Sequence, residues 1–260
     1  MMYFVVFLSI LITVSAGQLP PKSGLPTYPK KAPGPMDPKP CCGPAQYTHH
    51  LSANTAGMKE GKLFAAFDVS RSAYDSINEL IGHETVLDLT NGTEDTFKLI
   101  LDFKKRKGYD ITTVKGVVKC KKFEIPGEDR FPENCIPDDA VFTGSTTIGD
   151  RDLVSDQWYI SKIDPSSGET THSVYSIKAE GCVNLGSDSR IFDSETGAEI
   201  RTESRRWYDF NLGIDDPDRW FKPPSECEGV KVTKKTGLVS SCPDVWLEGY
   251  HSLIRSSTTS

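Results

Sequence analysis

Between residues 97 and 103 the chain alternates. Phe97, Leu99, Leu101 and Phe103 are set against Lys98, Ile100, Asp102 and Lys104, which are mostly polar. A period of two puts each set on its own face of an extended chain, so the run predicts a strand with one buried face. Lys105-Arg106-Lys107-Gly108 reads as a turn in which Gly108 can take positive φ, and residues 109–120 return as the partner strand. Further apolar runs at 157–162, 171–178, 190–192 and 205–212 are separated by the turn sequences Pro165-Ser166-Ser167-Gly168 and Ser194-Glu195-Thr196-Gly197. Many short strands punctuated by turn signals predict a mainly β chain, an antiparallel sandwich or open barrel. The run RSAYDSINELI leaves two readings open. Tyr74, Ile77 and Ile81 have helical spacing, while Ala73, Ile77 and Ile81 fit one face of a strand. Trp246, Tyr250 and Ile254 recur every four residues and suggest a short terminal helix.

The ends change the picture. An apolar run from Tyr3 to Val14, followed by Ser15, Ala16 and Gly17, fits a signal peptide over residues 1–17. It is shorter than the roughly 20 apolar residues of a membrane span, and no later stretch qualifies, so the mature chain is expected to be secreted. Residues 18–40 hold eight of the 17 prolines and predict an extended, disordered linker without a core. A globular domain follows over 41–255, with a frayed tail at 256–260. The seven cysteines suit disulfides in an exported chain, with one left over, and Asn91-Gly92-Thr93 is a glycosylation sequon. A net charge of −6 with interspersed acids and bases argues against a nucleic-acid partner.

Chemistry-bearing motifs are sparse. There is no G-x-S-x-G elbow, and none of the five histidines has a companion at nucleophile–base spacing, so a hydrolase is disfavoured. The densest polar run is WYDFNLGIDDPDRWFKPPSEC, residues 207–227. Calcium takes six to eight oxygens, and Asp209, Asp215 and Asp216, with Asn211 and Asp218 nearby, could supply some. The run does not fit an EF-hand loop, since Gly213 and Trp220 fall where ligands belong. The alternative is structural. Asp216 would cap a helical turn begun by Pro217, and Pro223-Pro224 would end it.

That same run resembles a signature of the ependymin-related proteins: an aromatic strand, a Gly-Ile/Asp-Pro segment, then Pro-Pro-x-x-Cys. The hairpin at 97–120 and IKAEGC at 177–182 resemble two more of the family's segments, in the same order. The resemblance implies two stacked, curved antiparallel sheets around a deep apolar pocket, similar to bacterial lipoprotein carriers, with one or two short helices. It implies a secreted, non-enzymatic glycoprotein, often dimeric, associated with calcium, lipid and cell–matrix adhesion. On this reading the Tyr74 segment becomes a strand paired with residues 62–68. Phe97, Leu99, Leu101, Phe103, Tyr109 and Ile111 would line a pocket for a lipid or other hydrophobic molecule. The family's pattern suggests a bridge from Cys41 or Cys42 to Cys182, Cys42–Cys182 being the one favoured, and a second, Cys120–Cys227. It leaves Cys242 to pair with Cys41 or Cys135, because this chain lacks the family's cysteine ahead of the hairpin. The competing function is a structural or adhesive component binding partners in an extracellular matrix, mucus or mineralised layer.

Overall fold

The computed structural model describes residues 34, 37–59, 61–88, 94–127, 129–148, 153–164 and 167–234. The signal peptide, most of the proline-rich segment, the Asn91 sequon, Cys242, the terminal helix and the tail lie outside them.

The chain is mainly β. Its strands are β1 (Gln46–Lys59), β2 (Lys62–Asp75), β3 (Leu80–Asp88), β4 (Glu94–Asp102), β5 (Lys107–Val114) and β6 (Val117–Glu124), then β7 (Val141–Ile148), β8 (Leu153–Asp164), β9 (Glu169–Lys178), β10 (Val183–Asp193) and β11 (Glu199–Leu212). A short helix α1 (Pro217–Phe221) and β12 (Val232–Lys234) complete it. All twelve strands join one sheet in the order β12-β6-β5-β4-β3-β2-β1-β11-β10-β9-β8-β7. Neighbours are antiparallel except β12, which runs parallel to β6. The two expected layers are therefore two meanders, β1–β6 and β7–β11, made continuous where β1 pairs with β11.

The order has a consequence for the interior. β6 and β7 are consecutive in the chain yet sit at opposite ends of the sheet. The connection at 125–140 must therefore cross from one meander to the other, and it does so through the core. Ile125 and Phe131 pack with Ile81, Leu99, Leu101, Phe103 and Phe123 of the first meander. Ile136 packs with Trp158, Ile177 and Cys182 of the second.

The Tyr74 segment is strand, but it continues residues 62–68 within β2 rather than pairing with them. It pairs with β1 and β3. The reversal comes after it, where the Asp75 carboxylate accepts from the Asn78 backbone amide at 3.0 Å and Glu79 takes a φ of 56°. The alternation at 97–103 forms β4 and the start of the following turn, with Leu99, Leu101 and Phe103 buried as expected, but the opposite face is covered too, since Ile100 and Asp102 are also buried. The run at 109–120 is two strands, because Lys115 and Gly116 turn the chain at φ 50° and 75°. In the preceding turn the left-handed residue is Arg106, at φ 55°. Gly108 serves a different need: a Cβ there would lie 2.0 Å from Cε2 of Phe123, across the ladder. Gly108→Ala should therefore lower stability by about 1–3 kcal/mol through overpacking, read as a lower urea midpoint; an unchanged midpoint would mean the Phe123 ring moves aside at no cost.

Candidate functional site

The inner face of the sheet divides into a charged end and an apolar end. At the charged end Glu203 sits between two arginines, accepting from Arg205 at 2.8 Å and from Arg201 at 3.1 Å, while Arg201 also reaches Glu169 at 2.8 Å. Glu203 and Arg205 are both buried. Buried charges survive only when paired in this way. The network is flanked by the buried Ser70, Ser173 and Ser187, with Ala53 beside Arg205 and Ile191 beside Arg201.

At the apolar end the crossing segment roofs a cavity of about 150 Å³. Its walls include Tyr74, Ile81, Leu101 and Phe103 from one meander and Ile160, Tyr175 and Ile177 from the other, with residues 132–137 above. An aromatic stack runs along one side, with Tyr47 5.1 Å from Tyr74 and 4.8 Å from Phe210. His49 and Lys162 are the ionisable nitrogens of the lining. Behind His49 lies His83, whose two ring nitrogens meet Ser72 Oγ at 2.9 Å and Thr85 Oγ1 at 3.2 Å. Burial pushes His49 down to about 4, with a further push from His50, and His83 down to about 3, with a further push from His49. Both are neutral near pH 7, so the wall carries no charge from them.

The roof is stapled. The Gly43 amide donates to the Asn134 carbonyl at 2.7 Å and the Ile136 amide to the Cys41 carbonyl at 2.8 Å. Tyr74 Oη donates to the Pro132 carbonyl at 2.7 Å. Disulfides join Cys41 to Cys182 and Cys42 to Cys135. The pairing of Cys42 with Cys182 is therefore corrected, and neither Cys41 nor Cys135 is left for Cys242. The reason is direction. Consecutive residues of an extended chain point to opposite sides. Cys41 faces the buried cluster of Ile136, Trp158, Ile177 and Cys182, while Cys42 faces outward and bridges Cys135.

Of the six side chains expected at the pocket, Leu101 and Phe103 line it, and Phe97 and Leu99 pack on the same face. Tyr109 and Ile111 do not take part. The register Leu99↔Asp110 turns them to the opposite face, where they pack with Ile100, Val118 and the Cys120–Cys227 disulfide. Sequence reasoning missed the roof and the whole second wall. The prolines flanking Cys135 in FPENCIP and the apolar Trp158 and Ile160 were the available signals.

The aspartate run builds a brace. Asp216 is the N-cap of α1, accepting from the Arg219 amide at 3.1 Å, with Pro217 at its start. Trp220 of α1 is buried against β3, where a Cβ on Gly82 would meet its carbonyl oxygen at 2.8 Å. Asp209 instead pairs with His50 at 2.9 Å. Asp209, Asp215 and Asp216 do line a shared hollow, but Arg71 and Arg219 line it too. Among the described residues no group of three or more His, Cys, Asp or Glu side chains is arranged to hold a metal ion. The two guanidinium groups work against a cation in that hollow.

A wider trough of about 570 Å³ lies on the other face, lined in part by Ala56, Ala65, Tyr159, His172, Asp188 and Arg190. Its charged groups are already engaged. Asp188 accepts from Arg206 and Ser204, and Arg190 pairs with Glu199. The roofed cavity is the better candidate because it lies between two separate walls under a cross-linked roof.

Comparison with known proteins agrees with the sequence motifs. The family model described as Ependymin matches residues 91–227, just over half the chain. The development-specific protein LVN1.2 of Lytechinus variegatus is 29% identical over 171 residues, covering 61% of this chain and 85% of that protein. Among solved structures, a domain assigned to outer membrane lipoprotein sorting from Vibrio parahaemolyticus is loosely similar, with a TM-score of 0.30 and 8% identity over 67% of this chain and 88% of that one. A DUF1329 family protein from Desulfovibrio piger gives a TM-score of 0.22 and 10% identity over 69% and 90%. No helix among the described residues is long and apolar enough to cross a membrane.

Proposed function

This chain belongs to the ependymin family, and from that premise we propose that it is a secreted, non-enzymatic binder of a small hydrophobic molecule held in the roofed cavity. The observation that carries the reading is the cavity itself, an apolar space between two meanders under a cross-linked roof. Three disulfides suit an oxidising, extracytoplasmic setting. The volume sets the scale of the ligand. A dry apolar cavity of about 150 Å³ accepts a molecule of about the size of benzene. This one therefore takes part of an acyl chain or a compact apolar group, and not a whole long-chain lipid. Glu133 and Lys162 at the rim offer polar groups to the head of an amphiphile, and a fatty acid serves as the probe of that class.

Displacement of a fluorescent fatty-acid probe tests this. The wild-type chain should bind the probe and release it to unlabelled fatty acid. Ile160→Phe, which fills the cavity from a buried wall position, should weaken binding at least tenfold while the chain stays folded, at a cost of about 1–3 kcal/mol. Absence of probe binding by the wild type counts against the reading, and equal binding by the variant would place the ligand elsewhere.

A further inference from the structure

The first meander concentrates positive charge. Residues 98–124 carry nine of the chain's 30 Lys and Arg but three of its 36 Asp and Glu, a local surplus of six in a chain whose net charge is −6. The fold compounds it. β12 pairs with β6 at Lys122, Phe123 and Glu124, so residues 117–121 of β6 have no second partner strand among the described residues. The register Val232↔Lys122 sets Lys231 level with Lys121, bringing in a cation more than 100 residues away in sequence. Lys119 and Lys121 stand on one face of β6, about 7 Å apart. Lys107, Lys115, Lys119, Lys121 and Lys231 are all exposed, and among the described residues none of them forms an ion pair.

Lysine on an edge strand also guards against edge-to-edge association. That role accounts for charge on β6 alone. It does not account for the surplus across both hairpins, nor for Lys231 being carried in on a separate strand. We propose that this edge binds a linear sulfated polysaccharide, its sulfates lying along β6 against Lys119, Lys121 and Lys231. A row of point charges on a strand matches a chain whose charge repeats along its length. A single-stranded nucleic acid would need aromatic faces for its bases, and the aromatic of this edge, Tyr109, lies half-buried under Lys122, whose Nζ is 5.7 Å from the ring. A bilayer would need apolar side chains set among the lysines. Of the exposed apolar residues here, Val114 and Val117 stand apart at the β5–β6 tip, beside the Asp95 carboxylate that accepts from the Lys115 amide, and Val232 beside Lys231 is a single valine, too little to anchor in a bilayer.

The test uses the disulfide-bonded chain, with immobilised heparin as the probe. The wild type should be retained at physiological ionic strength despite its negative net charge, with affinity falling steeply as salt rises. Lys119→Glu/Lys121→Glu should lose at least tenfold in affinity with an unchanged melting temperature. Lys119→Arg/Lys121→Arg and the distant Lys178→Glu should bind as the wild type does. Charge reversal keeps the edge guarded, so edge protection alone predicts no change in the Glu variant. Lack of wild-type retention, equal retention of the Glu variant, or tighter binding to single-stranded DNA or to vesicles of anionic phospholipid than to heparin would each overturn the proposal.

Discussion

Cys42→Ser/Cys135→Ser is expected to lower stability by roughly 2–5 kcal/mol and to abolish uptake of the hydrophobic ligand, while Cys120→Ser/Cys227→Ser costs a similar amount and leaves uptake intact. The first bond closes a loop of 93 residues and the second one of 107, so loop-closure entropy in the unfolded chain treats them nearly alike. What differs is what each bond holds. Cys120–Cys227 clamps the segment after α1 onto β6, on the face away from the cavity. Cys42–Cys135 holds the roof. Among the described residues, 125–140 make no ladder beyond the single bridge at Cys135, and their backbone is held by a few hydrogen bonds: Ile125 to Arg106, Gly43 to Asn134, Ile136 to Cys41, and the Tyr74 and Arg106 side chains to the Pro132 and Asp129 carbonyls. Freed from Cys42, the roof keeps the packing of Phe131 and Ile136 and its hydrogen bonds to Tyr74, Gly43 and Cys41 but loses its covalent tether. Urea unfolding and fatty-acid probe binding, measured on both variants, separate the two bonds. Full probe affinity in the Cys42/Cys135 variant would show that packing alone shapes the cavity.

How much of this could be read from the chain depends on whether the cause was local. The buried face of β4 was legible because strand periodicity needs no partner. The capped turn at Asp216-Pro217 was legible because capping is a matter of three adjacent residues. The pocket was half legible. Leu101 and Phe103 follow from β4, but the phase of Tyr109 and Ile111 depends on the register with which β5 returns, and a slip of one residue exchanges the faces. The placing of the tight turn at Arg106 instead of Gly108 decided that register. The roof was not legible at all. Its position follows from β6 and β7 lying at opposite ends of the sheet, which is a property of the β1–β11 pairing between strands some 150 residues apart. The vicinal cysteines failed for a related reason: composition says that they are bridged, but only the packing of Ile136 and Trp158 says which of the two faces inward.

Acidification from pH 6.5 to about 4.5 is expected to remove several kcal/mol of stability, and His49 and His83 are expected to carry most of it. Burial holds both below the ordinary value of 6.5, at about 4 and about 3. Once unfolded, each takes up a proton as the pH falls below about 6.5; in the folded chain each stays neutral. The unfolded state therefore binds more protons across this window, and stability rises with pH there and falls on acidification. Each histidine contributes about 1.4 kcal/mol per pH unit until its folded value is reached, so the pair gives a slope of nearly 3. His172, lowered by burial and by Arg190, adds in the same direction. Asp68 opposes them, since burial raises its carboxyl and the folded state takes up that proton first. The lowered carboxyls of Asp75 and Asp193 act mainly below the window. His49→Phe suits a site where Tyr47 already lies 5.5 Å away, and His83→Gln keeps a donor and an acceptor for Ser72 and Thr85. Each variant should roughly halve the slope of unfolding free energy against pH between 6 and 4.5, and the double variant should nearly flatten it. A slope unchanged in the double variant would assign the acid sensitivity to the carboxylates. Because His49 lines the cavity while His83 lies behind it, protonating His49 sets a charge in an apolar wall. In the folded chain His49 takes that proton only near pH 4, so loss of an apolar ligand by this route should come below the window in which the fold loses stability.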